Sequence, residues 1–402
     1  MPLVSDLKVA ALEFAVTSSE LAGMWTAPSG AREHFRIGAT PDLLRRVDAL
    51  RSELRDPMAI SAGETPRLRE FAADWGSSFL PSALAADMPD VLVIVPHALT
   101  HDLPIHLIRT ATPGVDDRPL GVLAGITYAS SRSLFIRTVE RNEARQRDLK
   151  RWHYGEQRPR LDQVPLRSVM SGGVDVLGDL NFEFTETCRL VAEQFGGERT
   201  VFAVDSFPYS RSTVKAALRR RPAPSVLCVM AHGWVDNNNH RMSGLLVERD
   251  SNGVLLRPIP LHGGRYFDFR DLPLRHPPYQ IKAINEIEVF TTAELEVDAQ
   301  IACELVMLLG CSAGWGRVLQ GDEPASLAET WLKIGASSVV APLWDAPIAS
   351  VRAWITEFLH AWTQLDMPKA LALRYAMQKM TEGSFRSAPE RLGVMTLRGD
   401  WL

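Results

Sequence analysis

The sequence has few cysteines and no long apolar run, and each absence excludes a class of protein. Its four cysteines, at positions 188, 228, 303 and 311, match neither a CxxC pair, a zinc site nor a disulfide framework. We therefore expect free thiols, as in a reducing cytoplasm, and no metal or other cofactor. No segment reaches the roughly 18 to 20 uninterrupted apolar residues that a membrane helix needs. The N-terminus also lacks the basic leader and apolar core of a signal peptide, so we predict a cytoplasmic protein without a membrane partner.

A strong charge of either sign is also absent. The chain of 402 residues has a net charge of −4 and a pI near 6.2, and it contains no long run of like charges. Nucleic acid is therefore not expected as a direct partner. The hydrophobic share of 46% and the charged share of 23% are typical of globular proteins. At roughly 100–200 residues per domain, this length predicts two or three packed units.

Residues 1–88 are predicted to form a small helical N-terminal region. Apolar residues recur at helical spacing over 40–56 and 66–74, and prolines flank both stretches. From about residue 90 onward, short apolar runs alternate with amphipathic helices. Strands that are apolar on both faces and separated by helices indicate an α/β fold, with a mostly parallel sheet flanked by helices. The predicted strands cover 91–95, 120–127, 199–204, 225–231, 304–310 and 337–343. A helix is predicted over 324–334, because Pro324 lies near its first turn and Gly335 just past its end.

Two reactive side chains directly follow the two clearest strands. His232 follows the strand at 225–231, and Cys311 follows the strand at 304–310. Ligands bind at the carboxyl ends of the strands in such sheets, so neighbouring strands would bring the two side chains together. An imidazole beside a thiol lowers the thiol pKa and can deliver a proton to a leaving amine. The backbone N–H groups of Gly233 and Cys311 are candidate donors to the oxyanion.

The residues alone leave the catalytic reading open. A cysteine at a strand end is more often a small buried apolar residue, and Cys188, Cys228 and Cys303 are assigned to packing on this ground. A lone histidine before a glycine is more often a turn or cap residue than a catalyst. The coincidence of His232 and Cys311 at two strand ends, each trailed by glycine, makes catalysis about as well supported as packing.

His232 and Cys311 each lie within a longer block of sequence. The histidine block is MAHGWVDNN at 230–238, and the cysteine block is LVMLLGCSAGWG at 305–316. Further blocks lie at 93–106, 128–134, 243–247, 291–295 and 328–344, and together the blocks cover roughly residues 90–380. In this order they resemble the CHAT family of caspase-like cysteine peptidases, which are related to caspases, separase and gingipains.

The resemblance implies a Cys–His dyad of Cys311 and His232, with Gly233 helping to hold the oxyanion. It implies a caspase-like domain at 89–402, with a degenerate first half at 89–165 and a catalytic half at 166–402. His97, His101 and His106 would be structural. The implied function is that of a cysteine endopeptidase that cleaves a dedicated protein partner, as a switched protease of a bacterial defence or cell-death system. A separate activator or sensor protein is the implied regulator.

Cleavage preference rests on three acidic residues. Asp322, Glu323 and Asp345 follow the cysteine and would suit a pocket for a basic P1 side chain by charge complementarity. Asp322 and Glu323 equally suit a helix start, where carboxylates are favoured. The family often has an acidic residue four positions after the late-strand tryptophan, where this chain has Ile348. The segments 234–243 and 249–290 are the candidates for an activation switch.

Two other functions remain open. Residues 310–314 fit the GxSxG elbow of a serine hydrolase with Ser312 as nucleophile, and HGG at 262–264 resembles an esterase oxyanion loop. The next convincing helix begins only near residue 324, and the histidine that follows, His360, lies in an amphipathic helix, which disfavours that reading. A caspase-like fold can also serve as a catalytically silent scaffold or binding module.

Overall fold

The fold is seen in a computed structural model that describes most of the chain. The described residues are 6–110, 118–154, 169–174, 181–195, 202–203, 211–219, 225–234, 239–248, 287–298, 301–310, 313–314, 316–318, 324–345, 347–383, 385 and 388–402. The strands are β1 (Val9–Val16), β2 (Glu20–Thr26), β3 (Arg32–Ala39), β4 (Val91–Val95), β5 (Gly125–Tyr128), β6 (Val169–Val174), β7 (Phe202–Ala203), β8 (Val226–Ala231), β9 (Gly233–Trp234), β10 (Gly244–Glu248), β11 (Ile287–Thr291), β12 (Leu305–Leu308), β13 (Gly316–Val318), β14 (Pro324–Ser326), β15 (Ser338–Pro342) and β16 (Met395–Gly399).

Helices lie between many of these strands. The α-helices are α1 (Thr40–Leu54), α2 (Pro57–Ala62), α3 (Pro66–Asp74), α4 (Gly76–Phe79), α5 (Ser82–Ala86), α6 (Leu120–Leu123), α7 (Arg132–Tyr154), α8 (Asn181–Gln194), α9 (Arg211–Arg219), α10 (Thr292–Asp298), α11 (Leu327–Ile334), α12 (Ile348–Leu359), α13 (Lys369–Glu382) and α14 (Pro389–Leu392). A π-helical turn, His360–Gln364, continues α12. Among the described residues, no helix combines the length and apolarity needed to cross a bilayer.

The main sheet confirms the predicted α/β class. It has eleven strands in the order β3-β2-β1-β4-β5-β16-β15-β12-β8-β6-β7. Neighbours are parallel except for β3–β2, β2–β1 and β16–β15. Every residue of β8, β12 and β15 is buried, as the apolar runs indicate for strands covered on both faces.

Alternate residues of the central strands pack into two separate cores. Cys228 and Met230 of β8 belong to the larger core, whereas Leu227 and Val229 belong to the smaller one. Successive side chains of a strand point to opposite faces, so the sheet divides the molecule into two layers. Helices α8, α12 and α13 contribute to the larger core and α9 and α11 to the smaller one. Cys188, Cys228 and Cys303 are all buried in these cores.

The N-terminal region contains strands as well as the predicted helices. Helices α1 and α3 match the predicted segments at 40–56 and 66–74, but β1, β2 and β3 precede them. The sequence of β1 lacks the alternation of apolar and polar residues that indicates a strand. Its more exposed face carries the apolar residues Val9, Ala11 and Ala15 as well as Glu13. The pairing of β1 with β4 places Leu12 opposite Ile94, so the sheet runs across the predicted boundary at residue 88.

Two other local predictions are corrected. The run at 120–127 is not one strand: its first half forms the short helix α6 and only Gly125–Tyr128 is extended, because a short apolar run does not distinguish helix from strand. The helix predicted over 324–334 begins at Leu327, where the Ser326 hydroxyl accepts from the Glu329 N–H at 3.1 Å. Gly335 does end that helix, with φ of +129°. Of the strand predicted at 199–204, Phe202–Ala203 is extended and the other residues lie outside the described ones.

Candidate active site

The strands that precede the two candidate residues are neighbours in the sheet. β8 and β12 are parallel and in register from Leu305 opposite Val226 to Leu308 opposite Val229. The contact continues past the strands, since the Leu309 N–H donates to the Val229 carbonyl at 2.8 Å. Both strands therefore end at the same edge of the sheet. Two residues beyond the last paired residues come Gly310 and Ala231, and Cys311 and His232 follow them directly.

Gly310 packs directly against the backbone around His232. A Cβ at this position would lie 2.3 Å from the Ala231 carbonyl oxygen and 3.3 Å from the Gly233 nitrogen. Only glycine allows so close an approach. The residue before Cys311 thus contacts the residues on both sides of His232. Cys311 and Ser312 themselves lie outside the described residues.

His232 is half-buried and held through its backbone and its ring. Its carbonyl accepts from the Leu246 N–H at 2.9 Å, which ties it to β10. Its imidazole lies against the buried ring of Phe184 on α8, with centroids 5.3 Å apart and an interplanar angle of 38°. The next residue, Gly233, opens β9 and pairs with Leu245. The three-stranded sheet β11-β10-β9 therefore supports the backbone that carries the imidazole.

The chain that leaves the cysteine block is anchored at Ala313 and Gly314. The Ala313 N–H donates to the Gly310 carbonyl at 3.3 Å, and the Gly314 N–H donates to the Pro342 carbonyl at 2.8 Å. The Gly314 carbonyl accepts from the Arg398 guanidinium at 3.0 Å. Both ends of the segment that carries Cys311 are thus fixed to the sheet: Gly310 against β8, and Gly314 against β15 and β16.

The predicted pocket residues divide between described and undescribed parts of the chain. Asp345 is half-buried and follows β15, the strand on the other side of β12 from β8. It therefore lies past the same edge of the sheet as His232. The preceding Trp344 is fully buried and its indole N–H donates to the Glu390 carbonyl at 2.8 Å. Asp322 and Glu323 lie outside the described residues, as do 235–238 and 249–286 of the predicted switch segments.

Two of the clustered histidines, His97 and His106, hydrogen-bond to distant parts of the chain. The Val16 N–H donates to Nδ1 of His97 at 3.1 Å. His106 is buried: its Nε2 donates to the Gly393 carbonyl at 2.7 Å, and its Nδ1 accepts from the Tyr128 hydroxyl at 2.8 Å. Burial lowers the pKa of His106 to about 4, so the ring is neutral at pH 7. Within the described part of the chain, no group of three or more metal-ligating side chains converges.

A buried ion pair beside the site escaped the sequence analysis. Arg398 of β16 pairs with Glu329 of α11 at 2.9 Å, and the Ser130 hydroxyl donates to the second oxygen of the same carboxylate. These residues lie far apart in the sequence, so no spacing connects them. The available signal was indirect: Ser130 and Glu329 belong to two of the blocks that resemble the CHAT family, and Arg398 interrupts an apolar strand.

Comparison with known proteins identifies the family. Residues 73–391 match the family model of the CHAT domain. Separase from Saccharomyces cerevisiae, solved in complex with securin, is 12% identical with a TM-score of 0.51, and the match covers 98% of this chain but only 30% of separase. The Arg-specific cysteine proteinase gingipain R is 11% identical with a TM-score of 0.43, covering 83% of this chain and 67% of that one. Porphyromonas gingivalis RgpB, in the complex of its pro- and mature domains, is 12% identical with a TM-score of 0.42, covering 90% and 76%.

The family match and the fold agree. Among curated proteins none matches this sequence. The family match spans more than half of the chain and includes both the histidine and the cysteine blocks. The similarity to separase independently supports the architecture of a mostly parallel sheet flanked by helices. The chain belongs to the CHAT-domain family and has the fold of the caspase-like cysteine peptidases.

Proposed function

We propose that the chain is a cysteine endopeptidase with Cys311 as its nucleophile and His232 as its general base. The observation that carries the proposal is the parallel register of β8 and β12, which end one residue before His232 and shortly before Cys311. The backbone contact between Gly310 and Ala231 supports the same alignment past the strand ends. A thiol and an imidazole that follow neighbouring strand ends can approach each other as nucleophilic catalysis requires, which supports the proposal.

The chemistry follows from these two groups. The Cys311 sulfur attacks the carbonyl carbon of the scissile peptide bond, and His232 takes up the thiol proton and delivers it to the leaving amine nitrogen. Water then attacks the thioester, His232 accepts a proton from that water, and the thiol is restored as the acid product leaves. The Gly233 and Cys311 N–H groups would donate to the oxyanion in both steps. The close approach of the Gly233 nitrogen to Gly310 supports its part in this role.

The structure around the cysteine block disfavours a serine hydrolase. In a nucleophile elbow, a strand passes through the serine straight into a helix. Among the residues that the structure describes after Gly314, β13 and β14 come first and the next helix begins at Leu327. The HGG segment at 262–264 lies outside the described residues. Ser312 as nucleophile therefore lacks the local architecture that this mechanism requires.

Covalent labelling tests the proposal. An electrophilic peptide probe is applied to the wild type and to Cys311→Ala, Ser312→Ala and His232→Ala, and the labelled residue is mapped by mass spectrometry. We expect labelling at Cys311 that survives Ser312→Ala and falls about a hundredfold or more with His232→Ala. Labelling at Ser312 would support the serine hydrolase instead. Equal labelling of the wild type and His232→Ala would contradict the dyad, and an unlabelled Cys311 would support a silent scaffold.

The proposed substrate is a dedicated protein partner, and the proposed setting is a switched protease of bacterial defence or cell death. A separate activator would reshape the segments 234–243 and 249–290 around the site. The separase neighbour was solved in complex with another protein, securin, which is consistent with control by a partner. The role is tested by expressing the wild type and Cys311→Ala with and without neighbouring gene products in a bacterial host. Toxicity or cleavage that needs both Cys311 and one particular partner supports the proposal; identical outcomes with Cys311→Ala contradict it.

A further inference from the structure

Three buried polar side chains adjoin the segment that follows Cys311, and we call them the Arg398 cluster: Ser130, Glu329 and Arg398. The Arg398 and Glu329 side chains are 3% and 1% exposed, and their Nη1 and Oε1 atoms are 2.9 Å apart. Ser130 donates to the other carboxylate oxygen of Glu329. The cluster joins the segment after β5, the start of α11 and strand β16, which lie far apart along the chain.

The second terminal nitrogen of the Arg398 guanidinium hydrogen-bonds to the cysteine block. Nη2 of Arg398 donates to the Gly314 carbonyl at 3.0 Å, while Nη1 pairs with Glu329. A planar guanidinium can hold two partners in fixed directions at once, which an ammonium does less well. The Gly314 N–H is already bonded to the Pro342 carbonyl. Gly314, three residues after Cys311, is therefore held from both sides.

Stability alone does not explain this arrangement. A buried ion pair must overcome the cost of removing two charges from water, and well-packed apolar residues often replace such a pair without loss of stability. The fork of Arg398 instead spans an acid on α11 and a backbone carbonyl in the cysteine block. Both terminal nitrogens of the guanidinium are engaged, while its buried Nε has no hydrogen-bond partner. Two hydrogen bonds from one rigid plane restrict the directions in which their acceptors can lie.

We infer that Arg398 is a positioning residue for the active site. It holds the Gly314 carbonyl and thereby fixes one end of the segment that carries Cys311, while Gly310 fixes the other end against Ala231. Glu329 orients the guanidinium, and Ser130 orients Glu329. The inference rests on the proposed function, because fixing this segment matters to chemistry only if Cys311 is the nucleophile.

A second buried ion pair, between the start of α13 and the residue after β16, offers a matched control. Lys369 and Asp400 form another fully buried pair, with Nζ and Oδ2 3.4 Å apart, and Asp400 lies two residues after Arg398. The two side chains hydrogen-bond to each other, and the Asp400 carboxylate also accepts from the Asn142 side chain and the Leu402 N–H, so none of these partners lies in the cysteine block. The double variant Arg398→Met/Glu329→Gln is therefore compared with Lys369→Met/Asp400→Asn. Neither changes the net charge or leaves a buried charge without its partner.

Two measurements are made at a temperature at which all proteins are folded. Hydrogen–deuterium exchange follows peptides that cover residues 310–316, and iodoacetamide alkylation of Cys311 is followed as a function of pH. We expect the Arg398 double variant to exchange faster in this segment and to alkylate about tenfold more slowly, with a shifted pH–rate profile. The Lys369 double variant keeps the wild-type exchange in 310–316 and the wild-type pH–rate profile, even if its melting temperature falls.

Arg398→Lys is the second variant, which serves if the double variant does not fold. It keeps a cation opposite Glu329, so we expect better stability than in the double variant but alkylation that stays slower than in the wild type. Unchanged exchange and an unchanged pH–rate profile in the Arg398 variants would overturn the inference, as would equal effects in the Lys369 control. If exchange rises as expected but wild-type Cys311 is not alkylated at any pH, the proposed function fails. Arg398 is then only a structural restraint.

Discussion

At the residue scale, the position of the His232 imidazole depends on one aromatic neighbour. The ring of Phe184 lies 5.3 Å from it, centroid to centroid, and is itself buried in the larger core. A half-buried imidazole with a flat ring on one side has fewer side-chain rotamers available than a free one. The proposed dyad therefore depends on α8 as well as on β8 and β12, the strands that precede His232 and Cys311.

The first prediction concerns this ring. Phe184→Leu keeps the site apolar but removes the flat surface, so we expect alkylation of Cys311 to slow on the order of tenfold through misplacement of His232. The control is Phe195→Leu, at a residue just past the end of the same helix that is similarly buried and packs against Trp362 with centroids 6.0 Å apart. The measurement is the second-order rate constant for iodoacetamide at pH 7. Equal rates in the two variants would show that Phe184 contributes packing alone.

The second prediction concerns Asp345 and a basic P1 side chain. If Asp345 lines an acidic pocket with Asp322 and Glu323, Asp345→Asn removes one attractive charge at the P1 site. We expect kcat/KM for a P1-Arg peptide to fall about tenfold, equivalent to about 1.4 kcal/mol, with little change for the matched P1-Leu peptide. Asp345→Glu keeps the charge and is the control. If the wild type cleaves the P1-Arg and P1-Leu peptides with comparable kcat/KM, the acidic-pocket hypothesis is contradicted.

At the scale of elements, the site depends on how closely the ends of β8 and β12 approach. The hydrogen bond from Leu309 to Val229 continues the register beyond the last paired residues, and Gly310 lies against Ala231 without room for a side chain. Backbone packed this closely cannot shift to admit a methyl group without moving one strand end. The element-level requirement is therefore a glycine immediately before the cysteine.

The third prediction tests that requirement. Gly310→Ala places a Cβ 2.3 Å from the Ala231 carbonyl oxygen, so we expect a loss of roughly 1–3 kcal/mol in the free energy of unfolding. Displacement of the strand end should also abolish probe labelling of Cys311. The control is Gly38→Ala on β3, where an added Cβ meets nothing within 4 Å. Urea unfolding and probe labelling give the two readouts, and a Gly310→Ala protein that behaves like Gly38→Ala would contradict the packing argument.

At the scale of the whole molecule, the extended sheet gathers buried polar groups from distant parts of the chain. His106 contacts Tyr128 of β5 and the backbone of Gly393, which precedes β16, so three chain segments meet at one neutral imidazole. Such a group makes the free energy of unfolding depend on pH, because its pKa is lower in the folded state than in the unfolded state.

The fourth prediction follows from the lowered pKa of His106. Its pKa is about 4 when folded against 6.5 in the unfolded chain, so below pH 6.5 the unfolded state binds the proton first. The free energy of unfolding should therefore fall between pH 6.5 and 4 by up to about 1.4 kcal/mol per pH unit from this residue. Burial raises the pKa of Asp102 and of Asp400, which act in the opposite direction.

A comparison of the wild type with a histidine variant separates the contribution of His106 to the pH dependence of stability from the contributions of Asp102 and Asp400. Urea unfolding of the wild type and His106→Gln is compared at several pH values between 4 and 7, since glutamine does not titrate but keeps a donor and an acceptor. We expect the stability gap between the two proteins to narrow as the pH falls. A gap that is constant over this range would show that His106 has a similar pKa in both states.

The sequence alone was sufficient for the fold class, the family and the order of the central elements. The apolar runs at 91–95 and 225–231 are strands, because residues covered on both faces must be apolar whatever their neighbours are. His232 directly follows β8, as predicted, whereas β12 ends at Leu308, so Gly310 lies two residues past the strand that was predicted to run to residue 310. The roles of His232, Gly233 and Cys311 stay proposals, as does the domain boundary at 88.

Only the tertiary structure decided which segments meet. The pairing of β8 with β12, the addition of β1, β2 and β3 to the main sheet, and the meeting of Ser130, Glu329 and Arg398 all join residues far apart in the chain. Local periodicity carries no information about such partners, because strand order and register are set by burial across the whole sheet. The sequence therefore determined which residues would stand at strand ends. The fold determined which of those ends lie together, and with them the groups that position the site.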